Sequence, residues 1–144
     1  MTQLNDTYAV DRILPPVRNF SRPFWDATRE RRIVIQYDRD VSAYQFYPRP
    51  TSIYTGRRGA LEWREVSGRG RIFSFTIARR ARPPFRGHEP YFIALVTLDE
   101  GVNLMSNVRD CPVERMAVGL RVRPAWLPLA DGRNLLMFEP DPES

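Results

Sequence analysis

The sequence contains no lysine and only one cysteine and one histidine among its 144 residues. A single cysteine, Cys111, excludes an internal disulfide bond and a cysteine-rich zinc site. His88 is the only imidazole that could act as a base, and no nucleophile is identifiable beside it. The absence of lysine carries little functional information, because it reflects genomic base composition.

Long apolar segments are also missing. No segment approaches the length of roughly 20 apolar residues that spans a bilayer. The amino terminus is polar and lacks the basic start and apolar run of a secretory signal. We therefore expect a soluble cytoplasmic protein with no membrane partner, and the chain length suits one domain or one small barrel with an appended arm.

Arginine is the most informative residue type that the sequence does contain. All 22 basic residues are arginines, and they exceed the acidic residues enough to give a net charge of +5. Because guanidinium groups bind phosphate with two parallel hydrogen bonds, nucleic acid, nucleotide-like cofactors and acidic protein surfaces all remain open as partners. Thirteen prolines and eight glycines indicate short strands joined by many turns.

The clearest secondary-structure signal lies in residues 67–79. The pattern alternates with a period of two, which predicts a half-buried strand. One face would carry Arg71, Phe73, Phe75, Ile77 and Arg79, and the other Ile72, Ser74, Thr76 and Ala78. Glycines ahead of this stretch suit a bulge or a sharp coil. We interpret it as the first strand of a small antiparallel barrel.

The preceding residues predict an arm, a helix and a short sheet. Residues 1–19 form an extended arm, and a helix capped by Ser21 runs to about Arg31. A strand at 32–36, an irregular segment at 37–59 and a second strand at 61–63 follow.

The following residues predict the rest of the barrel. A long basic loop at 80–90 leads to residues 91–99, whose nearly continuous apolar character indicates a strand buried on both faces, so that something must cover its outer side. The remaining elements are a strand at 102–108, a helix from Asp110 to about Val118, and strands at 120–126 and 134–138. The resulting order of three strands, one helix and two strands is that of an OB-fold, a mainly β fold with a five-stranded antiparallel barrel.

An ordered set of short motifs resembles the DUF35 family over roughly residues 20–140. The set comprises Phe24-Trp25, Phe46-Tyr47-Pro48-Arg49-Pro50, Leu61-Glu62-Trp63, Ser67-Gly68-Arg69-Gly70, Pro90-Tyr91 and Leu98-Asp99-Glu100-Gly101. The resemblance implies a rubredoxin-like zinc ribbon followed by an OB-fold, in proteins that accompany thiolase-like and acyl-CoA-processing enzymes. It implies three parts: an arm and helix at 1–31, a ribbon segment at 32–64 and a barrel at 65–144.

The ribbon segment departs from the family pattern at its metal ligands. The positions that match two Cys-x-x-Cys pairs hold Tyr37, Asp40, Ser52 and Thr55. One carboxylate and three hydroxyl groups are a poor zinc site, so we predict a degenerate ribbon without metal. Apolar packing would then replace the metal, through Tyr37, Tyr44, Phe46, Tyr47 and Tyr54.

The basic loop supplies the candidate binding residues. These are Arg79, Arg80, Arg82, Phe85, Arg86 and Tyr91. The arginines could hold the phosphates of coenzyme A while Phe85 or Tyr91 stacks on the adenine or lines the acyl path. The same groups would serve single-stranded nucleic acid, and they could equally keep a loop solvated or meet an acidic partner surface.

These observations predict a non-catalytic companion subunit of a thiolase-like or acyl-CoA-processing enzyme, which helps to bind the coenzyme A ester. The alternative is an OB-fold module for single-stranded nucleic acid, whose affinity would fall steeply with salt. We do not expect an enzyme: Cys111 at the start of a helix is more often a small buried residue than a nucleophile, and His88 has no partner for catalysis. Self-association through uncovered apolar surface is a further expectation.

Overall fold

The computed structural model describes residues 13–82 and 85–142, and within these ranges the chain forms one α-helix and eight strands. The elements are α1 (Arg22–Thr28), β1 (Ile33–Asp38), β2 (Ala43–Gln45), β3 (Leu61–Val66), β4 (Gly70–Ala78), β5 (Tyr91–Leu98), β6 (Asn103–Val108), β7 (Arg121–Pro128) and β8 (Asn134–Pro140). The first three strands form a sheet in the order β2-β1-β3, and the other five close into a barrel in the order β4-β5-β6-β8-β7. The predicted mainly β OB-fold is therefore confirmed.

Helix α1 is shorter than the sequence pattern predicts. Ser21 does not cap it: the Ser21 hydroxyl instead accepts a hydrogen bond from the Arg18 backbone N–H at 2.9 Å, beside a short 3₁₀ turn over Asn19–Ser21. The helix ends at Thr28, and Arg31 adopts a left-handed backbone conformation with φ of 56° that turns the chain into β1. Of the predicted arm, residues 1–12 lie outside the described residues.

The small sheet contains a strand that the sequence does not reveal. Strand β2 is only three residues long, too short to display an alternating pattern, and it lies in the segment predicted to be irregular. It pairs antiparallel with the end of β1, whose other edge pairs with β3 from Ile33↔Val66 to Asp38↔Leu61.

A β-bulge reverses the predicted faces within β4. Pairing with β5 skips one residue between Ile72 and Ser74, so that Phe73 is left out of register and is 57% exposed. Ile72 is buried, while Phe75 and Ile77, after the bulge, pack against the same core. The prediction of one uninterrupted alternation through this strand was therefore wrong.

The barrel is mixed and not antiparallel throughout. Strands β6 and β8 run parallel and meet at Val108↔Phe138, whereas the other neighbouring pairs are antiparallel. The reason is geometric: five strands in a closed ring cannot alternate in direction all the way round, so one neighbouring pair must be parallel.

The predicted helix from Asp110 to Val118 was also wrong. The segment forms a single 3₁₀ turn at Val113–Arg115. Asp110 has a φ of 54°, which is outside the helical region, and Pro112 and Met116 on either side of the turn are extended.

Helix α1 is attached to the barrel through the β7–β8 hairpin. The Asn134 side-chain amide donates to the Thr28 carbonyl at 2.8 Å, and the Arg29 guanidinium donates to the Asp131 carbonyl at 2.8 Å. The largest core cluster joins Phe24 of the helix and Ile35 of the small sheet to barrel residues such as Phe138. None of the helices in the described part of the chain is long and apolar enough to cross a membrane.

Candidate functional site

The connection between β4 and β5, residues 79–90, places the predicted arginines at one end of the barrel. We call it the arginine loop. Its arginines are all exposed: Arg79, Arg80, Arg82 and Arg86. Within residues 13–82 and 85–142, none of these four side chains makes an ion pair or a hydrogen bond. Four exposed cationic groups without a carboxylate partner leave this loop available to an anionic ligand or surface. Residues 83–84 of the loop lie outside the described residues.

The two predicted aromatic residues contact each other. The Phe85 and Tyr91 rings are stacked, with centroids 5.1 Å apart and planes inclined by 24°. Phe85 also packs against a small buried cluster of Ala125, Leu127 and Met137 on β7 and β8. The pair therefore anchors the arginine loop to the barrel, and one face of each ring is already in use.

The outer face of β5 and β6 forms an apolar cleft beside this loop. We call it the strand-face cleft; it has a volume of about 380 Å³. It is lined by Phe85, Tyr91, Ile93, Met105, Ser106, Asn107, Leu135 and Leu136. In OB-folds this strand face and the first loop are where oligonucleotides and oligosaccharides bind. The structure thus brings the arginine loop, Phe85 and Tyr91 to the usual ligand side of the fold.

The prediction that β5 is buried on both faces was wrong for this chain. Burial alternates along the strand, with Phe92 and Val96 pointing into the core and Ile93 and Leu95 only half buried. The apolar outer face is therefore left partly open, in the region of the strand-face cleft.

A second cleft lies between the helix, the small sheet and the barrel, and we call it the helix-side cleft. Its volume is about 390 Å³, and its walls are almost entirely apolar. It is lined by Pro15, Pro16, Ser21, Phe24, Trp25, Phe46, Tyr47, Pro48, Leu104, Met105, Leu135 and Leu136. Met105, Leu135 and Leu136 belong to both clefts, which therefore adjoin along the junction of β6 and β8.

Tyr47 is the notable polar group of the helix-side cleft. Its hydroxyl accepts a hydrogen bond from the Met105 backbone N–H at 3.0 Å. This bond joins the segment after β2 to strand β6 of the barrel. From the sequence, Tyr47 was expected only to pack within the ribbon segment. Met105 was not predicted, because its exposure is visible only in the folded chain.

The segment around Ser52, one of the positions that the resemblance matches to zinc ligands, is held together by hydrogen bonds. The Ser52 hydroxyl donates to the buried Asp38 carboxylate and accepts from the Tyr54 backbone N–H at 3.1 Å. The Ser52 hydrogen bond lowers the pKa of Asp38 below its ordinary value. Among the described residues there is no group of three or more His, Cys, Asp or Glu side chains that could hold a metal ion.

A pair of buried glutamines completes this network. The Gln45 amide donates to the Gln36 side-chain oxygen at 2.8 Å and accepts from the Ile53 backbone N–H at 2.8 Å. Gln36 in turn exchanges hydrogen bonds with the backbone of Arg49. The predicted aromatic packing is present as well, for example between the Tyr37 and Tyr44 rings, but it acts together with these polar contacts.

The two residues considered for catalysis lie apart from both clefts' linings. Cys111 is 2% exposed, and burial raises the pKa of its thiol, which disfavours the reactive thiolate. His88 is half buried in the arginine loop, where its backbone N–H donates to the Phe85 carbonyl at 3.0 Å. Asp99 lies in the turn after β5, and its carboxylate accepts two hydrogen bonds from Arg121 at 2.7 and 3.2 Å, which lower the pKa of the carboxyl.

Comparison with known proteins places the barrel in a described family. A family model for the C-terminal OB-fold domain of ChsH2 matches residues 63–127. A DUF35 domain-containing scaffold protein of Methanothermobacter thermautotrophicus is 35% identical over 63 residues, which cover 44% of this chain and 47% of that protein.

Two longer relatives match most of this chain. The 3-oxo-4,17-pregnadiene-20-carboxyl-CoA hydratase alpha subunit of Mycobacterium tuberculosis is 31% identical over 118 residues, covering 82% of this chain and 37% of that protein. A probable enoyl-CoA hydratase alpha subunit of Thermomonospora curvata is 30% identical over 129 residues, covering 87% and 39%. The chain thus spans less than two fifths of the length of these two relatives.

Solved structures share the fold across nearly the whole chain. A chain of the Ltp2-ChsH2(DUF35) aldolase superposes with a TM-score of 0.78 at 26% identity, covering 88% of this chain and 98% of that one. A DUF35 protein of unknown function from Sulfolobus solfataricus has a TM-score of 0.62 at 13% identity, a likeness of fold alone.

Proposed function

The chain belongs to the DUF35 family with a ChsH2-type OB-fold domain, and on that premise we propose that it is a non-catalytic companion subunit of an acyl-CoA-processing, thiolase-like enzyme. In this role it docks on the enzyme and helps to hold the coenzyme A ester. The observation that carries the proposal is the superposition on a chain of the Ltp2-ChsH2(DUF35) aldolase, which covers 88% of this chain and 98% of that one. The hydratase alpha subunits support the same class of substrate, since both are described as acting on coenzyme A esters.

The arginine loop is the part that would contact the nucleotide end of the ester. Coenzyme A carries several phosphate groups, and guanidinium groups recognise phosphate through paired, charge-assisted hydrogen bonds. The four exposed arginines belong to the same loop as Phe85, which helps to line the strand-face cleft. The anionic nucleotide of coenzyme A would lie at the arginine loop, and its less polar tail would lie in the strand-face cleft.

The state of Cys111 supports the non-catalytic part of the proposal. A nucleophilic cysteine needs a lowered pKa and access to substrate, whereas this thiol is buried and its pKa is raised. In the proposed division of labour, the partner supplies the reacting groups and this chain supplies binding surface.

Affinity purification of the tagged chain from its native host tests the proposal. The extract is treated with nuclease so that nucleic acid cannot bridge proteins, and the co-purifying chains are identified and quantified by mass spectrometry. We expect a thiolase-like or other acyl-CoA-processing enzyme in a fixed ratio to the tagged chain. Recovery of the tagged chain alone would refute the companion role.

Single-stranded nucleic acid is the competing ligand for the arginine loop, and a parallel measurement decides between the two. A nucleic-acid-binding OB-fold would bind oligonucleotides with an affinity that falls steeply as salt increases. The strand face here is lined by Ile93, Met105 and Leu136, which give bases no aromatic platform beyond the Phe85–Tyr91 pair. We therefore expect no salt-sensitive oligonucleotide binding by the nuclease-treated protein.

A further inference from the structure

The helix-side cleft has the properties of a small-molecule site, although the sequence analysis assigned it no ligand. Its volume of about 390 Å³ lies in the range of roughly 300–1,000 Å³ typical of ligand pockets. Such pockets combine apolar and aromatic walls with a small number of polar groups that orient the ligand. Here Phe24, Trp25 and Phe46 supply aromatic walls, and Tyr47 supplies a hydroxyl.

The Tyr47 hydroxyl can donate a hydrogen bond to a ligand. A phenolic oxygen can both accept and donate, and this one accepts from the Met105 backbone N–H. Its own proton makes no hydrogen bond to any of the residues that the structure describes. Because a hydroxyl that already accepts a hydrogen bond becomes a better donor, Tyr47 is polarised toward a ligand acceptor such as a carbonyl oxygen.

We propose that the helix-side cleft binds the acyl group of the coenzyme A ester, with the Tyr47 hydroxyl donating a hydrogen bond to a carbonyl oxygen of the ligand. This inference rests on the proposed function for the identity of the ester. It adds a site and a ligand chemistry: an apolar acyl chain of several carbons that carries a carbonyl group.

The arrangement of the two clefts explains how one ligand reaches both. The strand-face cleft adjoins the arginine loop through Phe85, and it shares Met105, Leu135 and Leu136 with the helix-side cleft. A ligand whose phosphates lie at the loop can follow this apolar surface past Met105, which is 60% exposed, into the helix-side cleft. A folded partner segment is a weaker fit, because stable protein interfaces bury about 800 Å² on each partner and this site is a narrow cleft.

Methionine NMR of the full chain gives a direct test. The chain has four methionines, and Met105 lies at the cleft whereas Met116 and Met137 are buried elsewhere. The probe is octanoyl-N-acetylcysteamine, a thioester that lacks the nucleotide and so does not depend on the arginine loop. We expect saturable shifts of the Met105 methyl signal, with the Met116 and Met137 signals unchanged. The affinity should rise by roughly fourfold per methylene from the butanoyl to the octanoyl thioester.

A pair of substitutions tests the hydrogen bond itself. Tyr47→Phe should weaken binding of the octanoyl thioester by about fivefold, which corresponds to one ordinary hydrogen bond, and should leave the matching octyl thioether unchanged because that ligand has no carbonyl. Tyr54→Phe is the matched control: Tyr54 is similarly exposed, and its hydroxyl donates to the Tyr44 carbonyl in the small sheet, away from the cleft. We expect it to change neither affinity.

The outcomes separate this inference from the proposed function. Absence of a saturable Met105 shift, or equal losses of thioester and thioether affinity in Tyr47→Phe, would overturn the acyl site even if the chain co-purifies with an acyl-CoA enzyme. Recovery of the chain alone from its host would overturn the companion role and leave acyl binding to the isolated chain standing. If the cleft instead accepts a segment of the co-purified partner, that partner will shift Met105 and the thioester will not.

Discussion

At the scale of single residues, the small sheet is held together by hydrogen bonds between buried polar side chains as well as by aromatic packing. The Ser52 hydroxyl donates a hydrogen bond to the Asp38 carboxylate, and Gln36 and Gln45 link strands β1 and β2 to the following loop. The sequence predicted the tyrosine packing, because the tyrosines are visible as residue types, whereas the absence of a metal stays a prediction. It did not reveal the polar network, because isolated Gln and Asp side chains are usually exposed and their burial follows only from the register of β1 and β2.

The buried glutamine pair should contribute strongly to stability. Gln45→Met preserves much of the side-chain volume but leaves the Ile53 N–H and the Thr51 carbonyl without this partner. Since a buried polar group left unsatisfied costs about 1–3 kcal/mol, we expect a loss of that size in the free energy of unfolding. Chemical denaturation measures it. Ile53→Met, at an exposed position of the same loop, is the control and should change stability by less than about 0.5 kcal/mol.

Asp38 should make the stability of the chain depend on pH in a predictable direction. Its pKa is lowered in the folded state from an ordinary value of 3.8, first by the Ser52 hydrogen bond. Its contribution is therefore present above about pH 4 and is lost as the pH falls through the lowered folded-state pKa. Thermal unfolding from neutral to strongly acidic pH should show the wild type falling toward Asp38→Asn; a constant difference between the two would contradict this assignment.

At the scale of elements, the sequence predicted the positions of strands that bury one whole face. It did not predict short elements whose geometry depends on a few residues. Strands β4, β5 and β6 were expected close to where they lie, since their alternation or apolar length is extensive. The bulge at Phe73 and the short strand β2 were not predicted, because each depends on pairing with residues distant in sequence. The expected helix after β6 is only one 3₁₀ turn, because Asp110 has a left-handed backbone conformation and the chain is extended again at Met116.

Pairing between β4 and β5 depends on a glycine at the start of the barrel. A Cβ atom added at Gly70 would lie 2.3 Å from the Thr97 carbonyl oxygen and 3.0 Å from the Leu98 Cα. Because both neighbours are backbone atoms, Gly70→Ala should force the strands apart and destabilise the fold by about 1–3 kcal/mol. Denaturation of this variant is compared with Gly59→Ala, where the added atom meets nothing within 4 Å. A loss equal to that of Gly59→Ala would contradict the close approach.

At the scale of the whole molecule, the surface of the small barrel carries two adjoining clefts and a cationic loop. The parallel pair β6–β8, required by the odd number of strands, has one backbone register pair, Val108↔Phe138, and the Ser106 hydroxyl also donates to the Leu136 carbonyl at 2.8 Å. Leu135 and Leu136, nearer the start of β8, are left to line both clefts. The order of elements was enough to predict an OB-fold, and the binding role of its first loop stays a prediction. The helix-side cleft could not be predicted, because its walls come from the arm, helix, small sheet and barrel together.

The central claim is that the chain helps a partner enzyme to hold its coenzyme A ester, and steady-state kinetics of the reconstituted pair tests it most directly. The partner is assayed with the wild-type chain, with a variant carrying Gln at Arg79, Arg80, Arg82 and Arg86, and with a control carrying Gln at Arg31, Arg57, Arg58 and Arg115. Both variants lose four exposed positive charges, so their effect on net charge is equal.

We predict that the arginine-loop variant raises the KM for the coenzyme A ester by at least about tenfold, which corresponds to the loss of a few phosphate contacts. The KM for the N-acetylcysteamine thioester, which lacks the nucleotide, should stay as it is, and the control variant should behave as wild type. Equal KM values for all three proteins, or turnover by the partner that is the same without the chain, would contradict the proposed role.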